Sequence, residues 1–147
     1  MDHSQIASST VQLASAADSV RIFLHVTAAT IWVGGQFTLA ALVPVLRKAT
    51  GNNSEIIKAV AKGFNKIAWP SFAVLIATGI WNMTSIPKDA PSNYSMVLGM
   101  KMMIVLLSGL AAFMHSRSKN PKSVAMWGSI SGLAALAATY FGALLAG

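Results

Sequence analysis

Four long apolar runs dominate the chain. They cover about residues 22–46, 67–83, 96–115 and 124–146, and short segments rich in polar and basic residues separate them. A helix needs about 20 apolar residues to cross a hydrocarbon core of about 30 Å, and each run is close to or above that length. The pattern predicts an all-α fold, a four-helix transmembrane bundle, in a multi-pass protein of the cell membrane surrounded by lipid bilayer.

The polar segments complete the predicted organisation. Residues 1–18 are rich in Ser, Thr and Ala and predict an exposed polar tail, followed by one membrane domain over residues 19–147. Before the second run, Ser54 is the predicted N-cap of a helix whose apolar residues recur at helical spacing. Lys58, Lys62 and Lys66 share another face of it. We expect this segment to lie along the cytoplasmic leaflet, with its lysines against lipid headgroups, before the chain turns into the membrane.

Composition and charge agree with a membrane protein. Hydrophobic residues make up 54% of the chain and charged residues 10%. The net charge of +7 resides in short clusters between apolar runs, which predicts no binding to nucleic acid. Eight of the 11 Lys and Arg lie between the first and second or the third and fourth runs. Because such residues collect on the cytoplasmic side, both loops are predicted to be cytoplasmic and both termini extracytoplasmic.

Three ionisable residues fall within or beside the runs: His25, Lys101 and His115. Such residues are costly in a membrane and are candidates for function. The predicted orientation puts His25 and Lys101 in the same, outer half of the bilayer. His115 follows Lys101 by a rise of about 21 Å and is expected at the cytoplasmic interface. Two alternatives stay open, a purely packing role for His25 and a Lys101 that reaches to the headgroups.

Thioethers cluster at the same outer end. Soft thioether and imidazole ligands favour Cu(I), and a chain with no Cys must build a metal site from ligands other than thiolate. This predicts a copper site of His25 with Met83, Met100 or Met103, although Met also serves as flexible packing or lipid-facing filler. The methionines at this end are Met83, Met96, Met100, Met102 and Met103.

Two glycine pairs predict close helix packing. Gly34 and Gly35 allow a neighbouring helix or a flat cofactor to approach the first helix. Gly128 and Gly132 form a GxxxG pattern in the fourth. That helix is expected to pack closely, either within its own bundle or against a partner in a homo-oligomer or a larger membrane complex.

The first run carries the motif that makes the chain similar to a known family. It reads LHVTAATIWVGGQFTLAALVPVLRK over residues 24–48, with a His, a Trp seven residues later and a Gly pair. Thr78 and Gly79 follow near the outer end of the second run, and Lys101 opens the third. The chain resembles the copper-resistance D (CopD) family over about residues 21–146. The resemblance implies copper binding, transport or homeostasis in a membrane.

The chain is also similar to the related HemJ family, the membrane protoporphyrinogen oxidases. The shared features are the length, the His, Trp and Gly of the first helix and the Lys opening the third. That resemblance implies heme b with His25 as its ligand and Lys101 as partner of a propionate or substrate carboxylate. The stretch after the first Gly departs from the HemJ pattern, so CopD is the nearer likeness.

Three functional hypotheses follow. The first is a CopD-like copper protein that acts at the outer face. This hypothesis favours a role other than that of an enzyme. The second is a heme-dependent membrane oxidoreductase. The third is a non-catalytic accessory subunit of a larger complex, docked through the small residues of the fourth helix.

Overall fold

The computed structural model describes residues 15–86, 88 and 90–146, and this part of the chain forms four α-helices without a strand. They are α1 (Ala16–Ala49), α2 (Ser54–Thr84), α3 (Tyr94–Arg117) and α4 (Pro121–Ala146). All four are long and apolar enough to cross a membrane. The predicted all-α class and the four helices of membrane-spanning length and hydropathy are therefore confirmed. Most of the predicted polar tail, residues 1–14, lies outside the described residues.

Side-chain caps and a tight reversal set the starts of the first two helices. Ser15 caps α1, since its hydroxyl accepts a hydrogen bond from the backbone N–H of Asp18 at 3.2 Å. The predicted cap of α2, Ser54, is wrong by one residue: Asn53 is the N-cap, and its side chain accepts from the N–H groups of the next helical turn. Gly51 and Asn52 have φ near +60°, a conformation that Gly and Asn adopt most readily, and they reverse the chain between α1 and α2.

The lysine-bearing segment before the second apolar run is the first part of α2. Lys58, Lys62 and Lys66 are exposed on a helix that continues without interruption to Thr84, so the expected turn into the membrane is absent. Its 31 residues correspond to about 46 Å. This length exceeds the roughly 30 Å hydrocarbon core of a bilayer, so α2 is longer than a single span requires.

The helices run alternately up and down. Contacts between α1 and α2 pair His25 with Thr78 and Trp32 with Trp69, which shows that the two are antiparallel. Within α3 and α4, Ser108 faces Ser131. The starts of α1 and α3 and the ends of α2 and α4 thus lie together, and we name this the His25 end. The opposite end holds both short loops and, in the helix segments beside them, most of the Lys and Arg; we name it the basic end.

A cluster of aromatic rings fills the middle of the bundle. Trp32 is 3% exposed and packs on Phe72, with ring centroids 4.4 Å apart, and against Trp69 at 5.6 Å. The Phe72 ring in turn lies directly against Gly109 of α3, where a Cβ atom would overlap it. Trp32 therefore belongs to the core, and Gly109 lets α3 approach the Phe72 ring of this aromatic cluster.

A buried polar network ties α1 to the α3–α4 pair. The Trp32 indole N–H donates to the Ser108 hydroxyl at 3.1 Å, and that hydroxyl donates to the Ser131 carbonyl at 3.0 Å. The Ser131 hydroxyl lies 2.8 Å from the Gln36 side-chain oxygen and 2.9 Å from the Ser108 carbonyl. Since hydrocarbon offers no hydrogen-bond partners, these bonds fix how the two helix pairs meet.

Candidate functional site

A cavity of about 690 Å³ lies between the α1–α2 pair and the α3–α4 pair, from the core tryptophan towards the His25 end. Its volume falls within the range of small-molecule sites, which is about 300–1,000 Å³. The wall is mainly apolar, and its polar and charged members are few. They are Arg21, His25, Thr30, Asn82, Ser85, Tyr94, Lys101, Ser108 and Thr139.

His25 lies on the α1 side of the cavity with its ring orientation determined by α2. Its Nδ1 is 2.8 Å from the Thr78 hydroxyl oxygen. That hydroxyl is also 2.7 Å from the Val74 carbonyl, to which it donates its single proton. The Thr78 oxygen must therefore accept from the imidazole, so Nδ1 carries the proton. The Nε2 lone pair of a cavity-lining histidine is then left free to bind a ligand.

Lys101 projects from α3 across the cavity to α4. Its ammonium nitrogen is 3.1 Å from the position that a Cβ on Gly142 would occupy. The missing side chain of Gly142 makes room for the ammonium group. The sequence-based expectation that His25 and Lys101 share one half of the molecule agrees with this arrangement, because both line the same cavity.

Arg21 is a cavity residue that the sequence analysis did not select. It is 9% exposed, and its guanidinium donates to Asp18 at 2.8 Å and to the side-chain oxygen of Asn82. Its Nε–H is buried and has no hydrogen-bond partner among the described residues. The spacing in the sequence could have indicated Arg21 as a cavity residue, because it precedes His25 by one helical turn and so shares its helix face.

Met102 is the methionine that the structure brings to His25. Its sulfur lies 3.4 Å from the position of a Cβ on Gly79, and the His25 ring lies 3.9 Å from the same position. The other candidates point outward: Met83 and Met100 are each 45% exposed and Met103 is 69% exposed, and none of these three lines the cavity.

Helical periodicity explains which residues of α3 reach the cavity. Those that line it in this part of the helix recur at i, i+3, i+4 and i+7, which places them on one face. Met100 and Met103 flank that face. The lining positions are Leu98, Lys101, Met102 and Val105.

The metal-binding groups at the cavity are therefore few. No group of three or more His, Asp or Glu that could hold a metal ion occurs in the part of the chain that the structure describes. The cavity offers one imidazole and one thioether instead. Such a donor set fits a ligand that brings most of its own coordination, or a soft monovalent ion.

The predicted packing glycines have different surroundings. Gly34 lines the cavity with no neighbouring atom within 4 Å of its Cβ position, whereas Gly35 lies against the Phe64 ring. Gly128 lies against the His115 imidazole of the same chain: a Cβ on Gly128 would be 2.9 Å from the His115 Nδ1. Gly132 has no such neighbour. One member of each pair thus packs within the bundle.

The remaining candidates lie far from the cavity. The three lysines of α2 and His115 are at the basic end, and Lys58 pairs with Glu55 at 2.8 Å. The His115 Nδ1 is 2.7 Å from the Val124 carbonyl in the first turn of α4. His115 and His25 therefore belong to separate sites.

The chain matches no family model, no curated protein and no solved structure. The chemistry of the cavity itself therefore carries the functional argument.

Proposed function

We propose that this chain is a heme b-binding membrane protein with His25 as the axial ligand. The observation that carries the proposal is the hydrogen-bonded series from His25 Nδ1 through the Thr78 hydroxyl to the Val74 carbonyl. A metal-binding histidine usually donates its second N–H to an oxygen acceptor, which orients the ring and raises the basicity of the ligating nitrogen. Here that arrangement leaves Nε2 as the ligating atom.

The cavity fits a flat apolar molecule with two acidic groups. Small residues of α1 and α4 leave space for a planar ring beside His25; they are Ala29, Gly34, Ala135 and Ala138. Lys101 and Arg21 supply cationic groups for the propionates. Burying a carboxylate without a countercharge is costly, and these two residues offset that cost.

Each residue has a defined role in this proposal. His25 binds the iron, Thr78 orients the imidazole, and Lys101 pairs with a carboxylate. The apolar wall around Leu75 and Val105 excludes water. Bound heme b supplies one-electron redox chemistry. We propose that the chain is a CopD- or HemJ-like membrane oxidoreductase, with a porphyrin such as protoporphyrinogen as the candidate substrate.

An optical spectrum tests this proposal. The protein is purified in mild detergent from cells given a heme precursor and copper, and spectra are recorded oxidised and dithionite-reduced. We expect a Soret band that is lost in His25→Ala and retained in His115→Ala, the matched histidine at the basic end. A wild-type protein without a Soret band, or equal bands in both variants, would overturn the proposal.

Copper is the second candidate, because Met102 and His25 meet at Gly79. In this alternative the imidazole Nε2 and the Met102 thioether bind Cu(I). Metal analysis of the same preparations separates the two. Copper that is lost in Met102→Leu and kept in Met103→Leu, without a Soret band, would favour this alternative over heme.

We also propose an orientation and surroundings for the bundle. The basic end faces the cytoplasm, where Lys58, Lys62 and Lys66 lie close to anionic headgroups, and the His25 end faces the opposite side of the cell membrane. Support comes from the concentration of Lys and Arg at the basic end, where eight of the 11 lie, in the helix segments beside the two loops and in the loop between α3 and α4.

A further inference from the structure

The cavity is closed on one side and open on another. None of the α2 and α3 residues in its wall is exposed, and three of them are buried: Leu75 is 7% exposed, Leu98 5% and Val105 8%. On the other side, Val26 of α1 lines the cavity and is 56% exposed, and Thr139 of α4 lines it and is also exposed. The opening therefore lies between α1 and α4.

Side-chain size explains the asymmetry. Between α2 and α3, the Phe72 ring fills the space at Gly109 and the Met102 side chain fills that at Gly79. On the side of α1 and α4, the cavity wall includes the small residues Ala135 and Ala138, and Gly34 has open space around its Cβ position. Both helices are long and apolar enough to span a bilayer, so the opening faces lipid hydrocarbon along most of its length.

Arg21 lies in the cavity wall at the His25 end. Two of its nitrogens are held by Asp18 and Asn82, but the buried Nε–H lacks an acceptor among the described residues. A buried donor without a partner is costly, and a carboxylate would remove that cost with a charge-assisted hydrogen bond. The ammonium group of Lys101 lies on the α4 side of the same cavity.

We propose that the gap between α1 and α4 is a lateral portal, through which an amphiphilic carboxylic acid reaches the cavity from the bilayer. The apolar body of the ligand lies between the helix pairs, and its acidic end binds Arg21. The inference rests on the proposed function in using the same cavity. It adds the route from the bilayer and extends the ligand from a porphyrin to any amphiphilic carboxylic acid whose acidic end Arg21 binds.

The role of Arg21 is tested with metal-free protoporphyrin IX and its dimethyl ester, each dissolved in the lipid of vesicles that contain the protein. Binding is followed by quenching of the protein's tryptophan fluorescence. We expect Arg21→Gln to weaken binding of the diacid about tenfold and that of the ester less than about twofold, because the ester has no carboxylate. Arg47→Gln, at the basic end, should change neither. Equal effects of Arg21→Gln on both ligands would overturn the assignment.

The portal is tested by narrowing it with Thr139→Phe. We expect uptake of lipid-dissolved protoporphyrin IX to slow at least about tenfold, with a smaller change in affinity, since the portal acts on the route more than on the bound state. Leu136→Phe is the matched control, because Leu136 is exposed on the same helix and does not line the cavity. Val26→Phe narrows the gap from α1 if Thr139→Phe fails to fold. Unchanged uptake in a folded variant would contradict the portal.

These probes separate the inference from the heme proposal. Metal-free porphyrin has no iron to coordinate, so its binding should persist in His25→Ala. A missing Soret band together with the diacid–ester difference refutes heme and supports the portal site. A Soret band together with equal effects of Arg21→Gln on binding of the diacid and of the ester supports heme and refutes the role of Arg21. Failure of the wild-type protein to bind either porphyrin overturns the inference.

Discussion

Thr78 shows how one hydroxyl determines what a neighbouring histidine can bind. Its proton goes to the Val74 carbonyl, so its oxygen accepts from His25 Nδ1 and fixes the imidazole tautomer. Gly79, the next residue, leaves the space in which His25 and Met102 come near each other. Two adjacent residues of α2 therefore prepare the ligating side of the cavity.

Replacing Thr78 should weaken the metal site without removing its ligand. Thr78→Val keeps the shape but loses the acceptor for Nδ1–H, and we expect about a 10- to 100-fold loss of heme affinity. Thr78→Ser retains the hydroxyl and should stay within a few-fold of wild type. Heme titration followed at the Soret band gives both values. Equal affinity in Thr78→Val and wild type would show that the hydrogen bond does not orient the ligand.

At the scale of helices, close approach is concentrated at glycines that face large rings. The Phe72 ring occupies the place where a side chain on Gly109 would lie, so α3 and α2 meet there. Gly99, on the same helix, has open space around its Cβ position. The two positions have the same intrinsic helix propensity and differ in their tertiary contacts.

This contrast yields a stability prediction. Gly109→Ala should destabilise the bundle by about 1–3 kcal/mol, because the added methyl group overlaps the Phe72 ring. Gly99→Ala should be neutral or stabilise by up to about 1 kcal/mol through helix propensity. Thermal unfolding in detergent, followed by circular dichroism, measures both. A Gly109→Ala variant as stable as Gly99→Ala would mean that the ring moves away at little cost.

On the scale of the whole molecule, the charges and the cavity lie at different ends. Most of the Lys and Arg lie at the basic end, in the last turns of α1 and α3 and the first halves of α2 and α4, while the cavity opens towards the His25 end. A bundle with this distribution has a defined preferred orientation in a membrane. We therefore expect the cavity to lie in the extracytoplasmic half of the bilayer.

Cysteine labelling tests the orientation, since the natural chain has no Cys. Ser92→Cys, in the loop between α2 and α3, should react with a membrane-impermeant maleimide in intact cells. Ser54→Cys, at the start of α2 in the basic end, should react only after permeabilisation. The reverse pattern would place the cavity in the cytoplasmic half and contradict the positive-inside prediction.

The four long apolar helices could be predicted from the sequence alone, and so could His25 as an ionisable residue within the first of them. Apolar length and the 3.6-residue period are local properties, and a bilayer requires helices whose backbone groups are satisfied internally. Lys101 was selected for the same reason, because an ionisable residue inside an apolar run is costly wherever the helix packs.

Which side chains lie beside His25 and Arg21 in the cavity follows from the tertiary structure and not from the sequence pattern. Choosing Met102 over Met100 and Met103 requires the rotation of α3, which is set by Phe72 at Gly109 and by the Ser108–Ser131 contact. The partners of Arg21 and the proton position on His25 likewise depend on α2, more than 50 residues away in the chain. Helix rotation and pairing arise from the sum of contacts between distant segments, which no local pattern encodes.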